Sequence, residues 1–284
     1  MNKELEKKIK QAMKLLQVCY KAAGEPIEIA YSGGKDSDVI LELAKMSGIE
    51  YRAIYKNTTI DPPGTIKHAM ENEVEIRRPK ESFFSLMIKH GYPNRFSRFC
   101  CSVLKEYKIL DNCVIGIRRC ESVKRLKRYS EPTECRIFGS KKNHVNTIYP
   151  ILEWSDEDEL EFIKERGIKL HPLYYHEDGS IDITKRLGCM CCPLMYYKKR
   201  LQAFKQYPGM VKAYLRCGNE FLKSHSDSKI GKQYSEVYEY FVANAFFDKQ
   251  KDYVNANRGN LFSENPDYKK VIEDYFKIKL PDLD

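Results

Sequence analysis

The sequence predicts an α/β protein: a parallel, Rossmann-like sheet followed by a helical C-terminal extension. Three observations carry that reading. The apolar run around Ile27 and Ile29 passes through a glycine turn straight into a helix ("IEIAYSGGKDSDVILELAKMSG", 27–48). Strand-like and helix-like segments then alternate to residue 119, the pattern of a parallel sheet with helical crossovers. Beyond a cysteine-rich segment, "YYKKRLQAFKQYPGMVKAYLRCGNEFL" is basic, aromatic and helical in period. The expected division is an α/β domain over 1–195, cysteines included, and a helical extension over 196–284.

The elements follow in order. Leu5, Ile9, Met13, Leu16 and Tyr20 recur at three- and four-residue steps, an amphipathic opening helix over 3–20 stopped near Gly24-Glu25-Pro26. "YRAIYKNT" (51–58) reads as a second strand, and the prolines at 62–63 lead into another helix. "VEIRRP" (74–79) is a third strand, and "ESFFSLMIKHG" (81–91) a helix closed by its glycine. "CVIGIRR" (113–119) is a fourth strand with two arginines at its carboxyl end. Residues 120–147 are basic and poor in apolar side chains, and read as an irregular excursion, either a loop over the site or solvated surface. Ser155 then caps a helix with three acidic residues in its first turn, ending near Gly167.

Ligands of such sheets bind at the carboxyl ends of the strands, where Ser32, Asn57 and Arg118 fall. Ser32, Gly33 and Gly34 form a turn that needs backbone freedom, and the helix after it opens with N–H groups that have no partner inside the helix. Those donors and the positive end of the helix dipole form an anion site. Lys35 adds a full charge, and Ser32 and Ser37 add hydroxyls. Asp36 repels an anion unless a cation lies between, which points to magnesium. The alternative is a strand–turn–helix corner with no ligand. The Walker pattern is absent, because Asp36 follows Lys35 where Ser or Thr is required.

Composition is permissive. Lys and Arg number 49 against 40 Asp and Glu, a net charge of +9 that suits polyanionic ligands, nucleotides first and nucleic acid second. No run approaches the roughly 18 apolar residues of a membrane span, and the first residues lack a signal-peptide core, so a cytoplasmic protein is expected. Ten cysteines then read as metal ligands or reactive thiols rather than disulfides. Cys100 and Cys101 are adjacent, and Cys189 and Cys192 form a C-x-x-C with Cys191 inside it. Thiolates so placed select zinc or an iron–sulfur cluster; buried reduced thiols are the third option. Cys19 and Cys113 read as core residues.

A family resemblance gathers these pieces. "SGGKDS" is similar to the PP-loop of the adenine nucleotide alpha-hydrolase superfamily. "RFCCSVLKE" (98–106), "GIRRCES" (116–122), "YPILEWSDEDELEFI" (149–163) and "LYYHEDGSIDITKRLGCMCCP" (173–193) resemble, in order, motifs of its phosphoadenosine phosphosulfate (PAPS) reductase family. The resemblance spans 25–195. It implies a PP-loop fold and nucleotide contacts from Ser32, Gly33, Gly34, Lys35, Asp36, Ser37, Asn57 and Arg118, with Lys35, Asp36, Arg118 and Arg119 as catalytic groups. It also implies a 4Fe–4S cluster on Cys100, Cys101, Cys189 and Cys192, zinc being the alternative.

Two departures from the reductase pattern bear on activity. The loop is intact, as in relatives that cleave ATP between the α- and β-phosphates, whereas reductases usually erode it. The Glu-Cys-Gly-x-His tail that carries the reductase nucleophile is missing, and "RCGNE" around Cys217 is its only echo. The expected activity is cleavage of ATP at the α-phosphate with adenylyl transfer, serving sulfur-related or nucleic-acid modification. Reduction of a sulfonucleotide is the alternative, and a nucleotide- or nucleic-acid-binding module with a structural metal is the third reading. A nucleic-acid or protein partner is expected at the basic C-terminal region.

Overall fold

In the computed structural model, residues 2–137, 143–234, 236–248, 252–254 and 266–283 are described. The chain runs α1 (Lys3–Ala23), β1 (Ile27–Tyr31), α2 (Lys35–Ser47), β2 (Tyr51–Lys56), α3 (Thr65–Glu71), β3 (Glu75–Arg77) and α4 (Phe83–His90). It continues through α5 (Phe99–Leu104), β4 (Asn112–Val114), α6 (Val123–Arg128), β5 (Thr133–Ile137), β6 (His144–Ile148) and α7 (Asp156–Arg166). After it come α8 (Tyr197–Gln206), α9 (Pro208–Ser224), α10 (Lys229–Gln233), α11 (Val237–Ala245) and a helix over Tyr268–Phe276. Among the described residues no helix is long and apolar enough to cross a membrane.

The six strands form one mixed, mostly parallel sheet in the order β3-β2-β1-β4-β6-β5. β1 lies centrally, parallel to β2 with Tyr31 opposite Tyr55 and parallel to β4 with Ile29 opposite Val114. The carboxyl ends of β1, β2 and β4 therefore share one edge. α1 buries Leu5, Ile9, Ala12 and Leu16, a stripe at four- and three-residue steps, while Met13 and Tyr20 pack at its margin. Full burial of each such Leu or Ile contributes about 1.5–3 kcal/mol. Asn2 accepts from the Leu5 N–H at one end, and Gly24 closes the other in the left-handed conformation at φ 67°.

The structure differs from the sequence reading over 120–147. In place of an irregular excursion it holds α6 and two antiparallel strands, with residues 138–142 of that segment outside the described residues. β6 completes the parallel core beside β4 and β5 forms the edge. The edge strand alternates exposed and half-buried residues along its whole length. It offers no apolar run to read.

The chain divides into two compact units, Met1–Pro79 with Ser102–Gly188, and Lys80–Cys101 with Cys189–Asp284. The division near 195 expected from the sequence thus falls at 188, and 80–101 goes with the C-terminal part. Aromatic packing explains why. Tyr92 stacks on Tyr240 at 4.2 Å between ring centres, donates through its hydroxyl to the Tyr214 carbonyl at 2.8 Å, and passes so close to Gly218 that no side chain fits there. Phe83 of α4 lies 6.0 Å from the Tyr214 ring. Buried Arg200 donates to the carbonyls of Pro193, Ala245 and Phe247 in the same unit.

Candidate functional site

The loop between β1 and α2 is closed on itself. Gly33 has φ +75°, and an added Cβ would lie 2.9 Å from Thr65 Cγ2 and 3.2 Å from Leu187 Cδ2, so both conformation and space require glycine. The Ser37 hydroxyl donates to the Gly34 carbonyl at 2.6 Å, and Ser32 Oγ accepts weakly from the Gly34 N–H at 3.4 Å. The Lys35 N–H, first of the helix donors, is directed at Tyr174 Oη at 3.3 Å, which also accepts from the Leu187 N–H at 3.1 Å. Tyr174 comes from a single 3₁₀ turn, Pro172–Tyr174.

Lys35 and Arg118 meet at one carboxylate. Glu159 Oε2 accepts from Lys35 Nζ at 2.8 Å and pairs with Arg118 Nη2 at 2.9 Å. Arg118 Nε also donates to Asp36 Oδ1 at 2.7 Å, and Lys35 Nζ to Asp36 Oδ2 at 3.2 Å. Arg118 Nη2 reaches Asp156 Oδ1 at 2.8 Å. Two cations and three carboxylates thus share a space in which Lys35 is 3%, Arg118 1% and Glu159 0% exposed. Cys120 lies at its rim, accepting from Arg118 Nη1 at 3.3 Å and donating to the Trp154 carbonyl at 3.2 Å.

The electrostatics separate the two carboxylates that Lys35 and Arg118 share. Burial opposes ionisation of Asp36, but Lys35 and Arg118 overcome it and hold the carboxyl below its ordinary value. Burial and the charge of Asp36 together push Glu159 up to about 7 despite the same two cations. Its second oxygen, Oε1, is buried without a hydrogen-bond partner. Burial disfavours the Arg118 charge, yet Glu159 and Asp36 outweigh it and strengthen its hold on the proton.

Sequence reasoning read the acidic residues after Ser155 as complements to the helix dipole. Ser155 does cap α7, exchanging hydrogen bonds with Asp158 at 3.1 and 2.8 Å. Glu159, however, lies on the buried stripe with Phe162 and Ile163. A carboxylate at an apolar position of that stripe was the available signal. A second buried network also escaped: the Tyr31 hydroxyl donates to Asp38 Oδ1 at 2.5 Å, and His68 Nε2 lies 3.1 Å from both Asp38 oxygens. It ties α2 to β1 and α3.

Not every expected residue joins this group. Arg119 turns away, donating to Glu153 at 2.7 Å. Asn57 follows β2 on the shared edge, and its side chain accepts from the Thr59 N–H at 2.7 Å, a local turn. Asp36, expected to face magnesium, has one oxygen on Arg118 and the other on Lys35, so a magnesium ion there would share both oxygens with these cations.

Cys100, Cys101, Cys189 and Cys192 all belong to the second unit. Burial and a hydrogen bond with Cys101 raise the Cys100 thiol, the hydrogen bond first, and the charges of Cys101, Cys192 and Cys189 add to the rise. These are donors of the right kind for a thiophilic centre. Their geometry does not match one: among the described residues no three or more His, Cys, Asp or Glu side chains stand so as to hold a metal ion. Cys191 is fully buried at φ 51°, its thiol pushed up to about 12 by burial. Cys217, the echo of a reductase tail, is 0% exposed within α9, and the glycine beside it makes room for Tyr92.

The family model described as phosphoadenosine phosphosulfate reductase domain matches residues 26–195. An uncharacterized protein of Methanocaldococcus jannaschii is 30% identical over 219 residues, 72% of this chain and 50% of its own length. A second from that organism is 25% identical, covering 76% of this chain and 46% of its own. A protein of Escherichia phage 186 is 27% identical, covering 66% and 60%. The chain spans about half the length of the curated relatives it matches. Among solved structures, phosphoadenylyl-sulfate reductase from Candida auris in a phosphate complex aligns at TM-score 0.41 and 18% identity, over 64% of this chain and 95% of that one. The U34-tRNA thiolase of Methanococcus maripaludis with its 4Fe–4S cluster aligns at 0.39 and 17%, over 86% and 91%.

Proposed function

Because the chain belongs to the phosphoadenosine phosphosulfate reductase domain family, we propose that it binds ATP at the loop from Ser32 to Ser37, cleaves it at the α-phosphate, transfers the adenylyl group and releases pyrophosphate. The observation that carries the reading is the convergence of Lys35 and Arg118, 2.8 and 2.9 Å from a single oxygen. Two cations aimed at one point favour an anionic oxygen there, and the first N–H of α2, directed at the Tyr174 hydroxyl, is a further donor of the same loop.

Catalysis in this reading is electrostatic. Lys35 and the loop N–H groups stabilise the charge that develops on the departing pyrophosphate, and Arg118 steadies the phosphoryl group under attack. Asp36 orients both cations. Arg119, bound to Glu153, is left out. A 4Fe–4S cluster, or zinc in its place, is proposed for Cys100, Cys101, Cys189 and Cys192 from the family membership and the presence of these four thiols in one unit; they would have to close on the metal from the arrangement described, and no step is routed through it. The acceptor is proposed as a sulfur-containing or nucleic-acid group, with the basic C-terminal unit as the surface for a nucleic-acid or protein partner.

The second reading, reduction of a sulfonucleotide, draws on the family itself. Burial of Cys217 counts against a self-contained reductase, which needs an accessible thiol. The deciding assay incubates the protein separately with ATP, adenylyl sulfate and its 3′-phosphorylated form. Pyrophosphate from ATP, abolished by Asp36→Ala and kept by Cys217→Ala, is the expected result. Sulfite from either sulfonucleotide without pyrophosphate from ATP would overturn the proposal.

A further inference from the structure

The donors that a nucleotide phosphate needs are already occupied by the chain's own oxygens. Glu159 Oε2 lies between Lys35 and Arg118, and Tyr174 Oη receives the Lys35 N–H. Neither arrangement is a surface accident: Glu159 is wholly buried on the core-facing side of α7, and Tyr174 is 2% exposed. A hydroxyl at the N–H and a carboxylate oxygen at the two side-chain cations reproduce the contacts of a bound phosphate.

Charge counting shows why this matters. Asp36 and Asp156 already balance Lys35 and Arg118, so whatever charge Glu159 carries is left over and opposes a phosphate added to the group. Asp36 and Asp156 each touch Arg118 from a more exposed position, with side chains 21% and 50% exposed. Asp36 meets the two cations with a separate oxygen for each, whereas Glu159 places a single oxygen, Oε2, between them, and its Oε1 is left without a partner.

We propose that Glu159 is an internal occupant of the phosphate position, seconded by Tyr174, and that a nucleotide binds only as these groups release Lys35, Arg118 and the α2 N-terminus. The inference rests on the reading of the loop as the nucleotide site. It assigns to Glu159 a part in ligand binding that sequence reasoning did not give it. The apparent affinity is reduced by the fraction of molecules in which the position is open, so removing the occupant raises it.

The test measures binding of inorganic pyrophosphate, and of ATP with magnesium, by calorimetry on the full chain. Glu159→Gln keeps the shape and removes the charge, and is expected to bind pyrophosphate about tenfold tighter than wild type. Tyr174→Phe leaves the Lys35 N–H unsatisfied until a ligand arrives, and is expected to tighten binding by about threefold. It decides the matter if Glu159→Gln does not fold. Lys35→Ala reports on the loop itself. If wild type binds, Lys35→Ala weakens binding, and the folded Glu159 and Tyr174 variants bind no tighter, the inference falls alone. If Lys35→Ala binds as wild type does, or if wild type and both occupant variants bind nothing, the loop is not the site and both readings fall.

Discussion

The Glu159 carboxylate meets the Lys35 ammonium at 2.8 Å with neither group open to water. One partner comes from the turn after β1 and the other from a helix 124 residues further along the chain. A buried pair of this kind adds little net stability over an apolar substitute, yet breaking one side of it is costly, because the other charge is stranded.

Lys35→Met is therefore expected to lower unfolding free energy by about 3–5 kcal/mol. Adding Glu159→Gln to it should recover most of the loss. Urea unfolding of the two single variants and the double variant gives the coupling directly, and strictly additive losses would show that the pair does not act as a unit. Independently, Lys35→Ala should weaken ATP binding by about 1–3 kcal/mol, the range for charge-assisted hydrogen bonds.

Stability should depend on pH through Glu159. An ordinary glutamate titrates near 4.5, and in the folded chain burial and Asp36 carry this one to about 7. Between those values the folded state holds the extra proton, so stability falls as pH rises. The contribution is whole below 4.5 and lost above 7. Asp36 acts oppositely and only in acid, since its folded value is depressed. His171, lowered by burial, also works against the trend, its contribution present at neutral pH and lost on acidification. The groups around Glu159 are Lys35, Asp36, Arg118, Asp156 and Cys120. Subtracting the Glu159→Gln profile from that of wild type isolates the glutamate: the difference should move in favour of the variant from pH 4.5 to 7. A flat difference would contradict it.

Metal binding is checked through the thiols. Serine at Cys189 or Cys192 should strip metal from protein purified without oxygen and lower its unfolding temperature, because ligands on separate segments tie those segments together. Elemental analysis with an optical spectrum reads the outcome and tells iron from zinc. Metal retained at full occupancy in both variants would remove the C-x-x-C from the ligand set.

Gly218→Ala should destabilise the protein by about 1–3 kcal/mol, since its methyl group would collide with the Tyr92 hydroxyl. Tyr92→Phe in the same chain should relieve part of that loss. Unchanged thermal stability of the single variant would show that α9 shifts to make room.

The sheet's inner strands were legible in the sequence because each one reads as a short apolar run next to a turn signal, as Ile27–Tyr31 does before Gly33. β5 was not, because an edge strand with half its residues in water has no such run. The loop residues were legible by their chemistry, glycines beside a lysine and two serines. Their counterparts were not. Glu159 and Tyr174 reach the loop from 124 and 139 residues away; the carboxylate on the apolar stripe of α7 marks Glu159 as unusual, but nothing in either segment names the loop as its partner. Arg118 and Arg119 stand side by side with equal claims in sequence, and only the direction of each side chain, toward Asp36 or toward Glu153, distinguishes them.

The interrupted course of the second unit sets a schedule on the ribosome. Residues 80–101 emerge with Phe83 and Tyr92 among them, but Tyr214, Gly218 and Tyr240, which cover those rings, belong to the last third of the chain. From Tyr92 to Tyr240 there are 147 intervening residues, about 7–29 s of synthesis at cellular rates. For that interval an aromatic segment waits without its cover while the sheet on either side of it in sequence can already close. A fragment ending near residue 195 would keep it waiting indefinitely. The segment matched by the family model thus includes residues 80–101 but not the helices that pack on their aromatic rings.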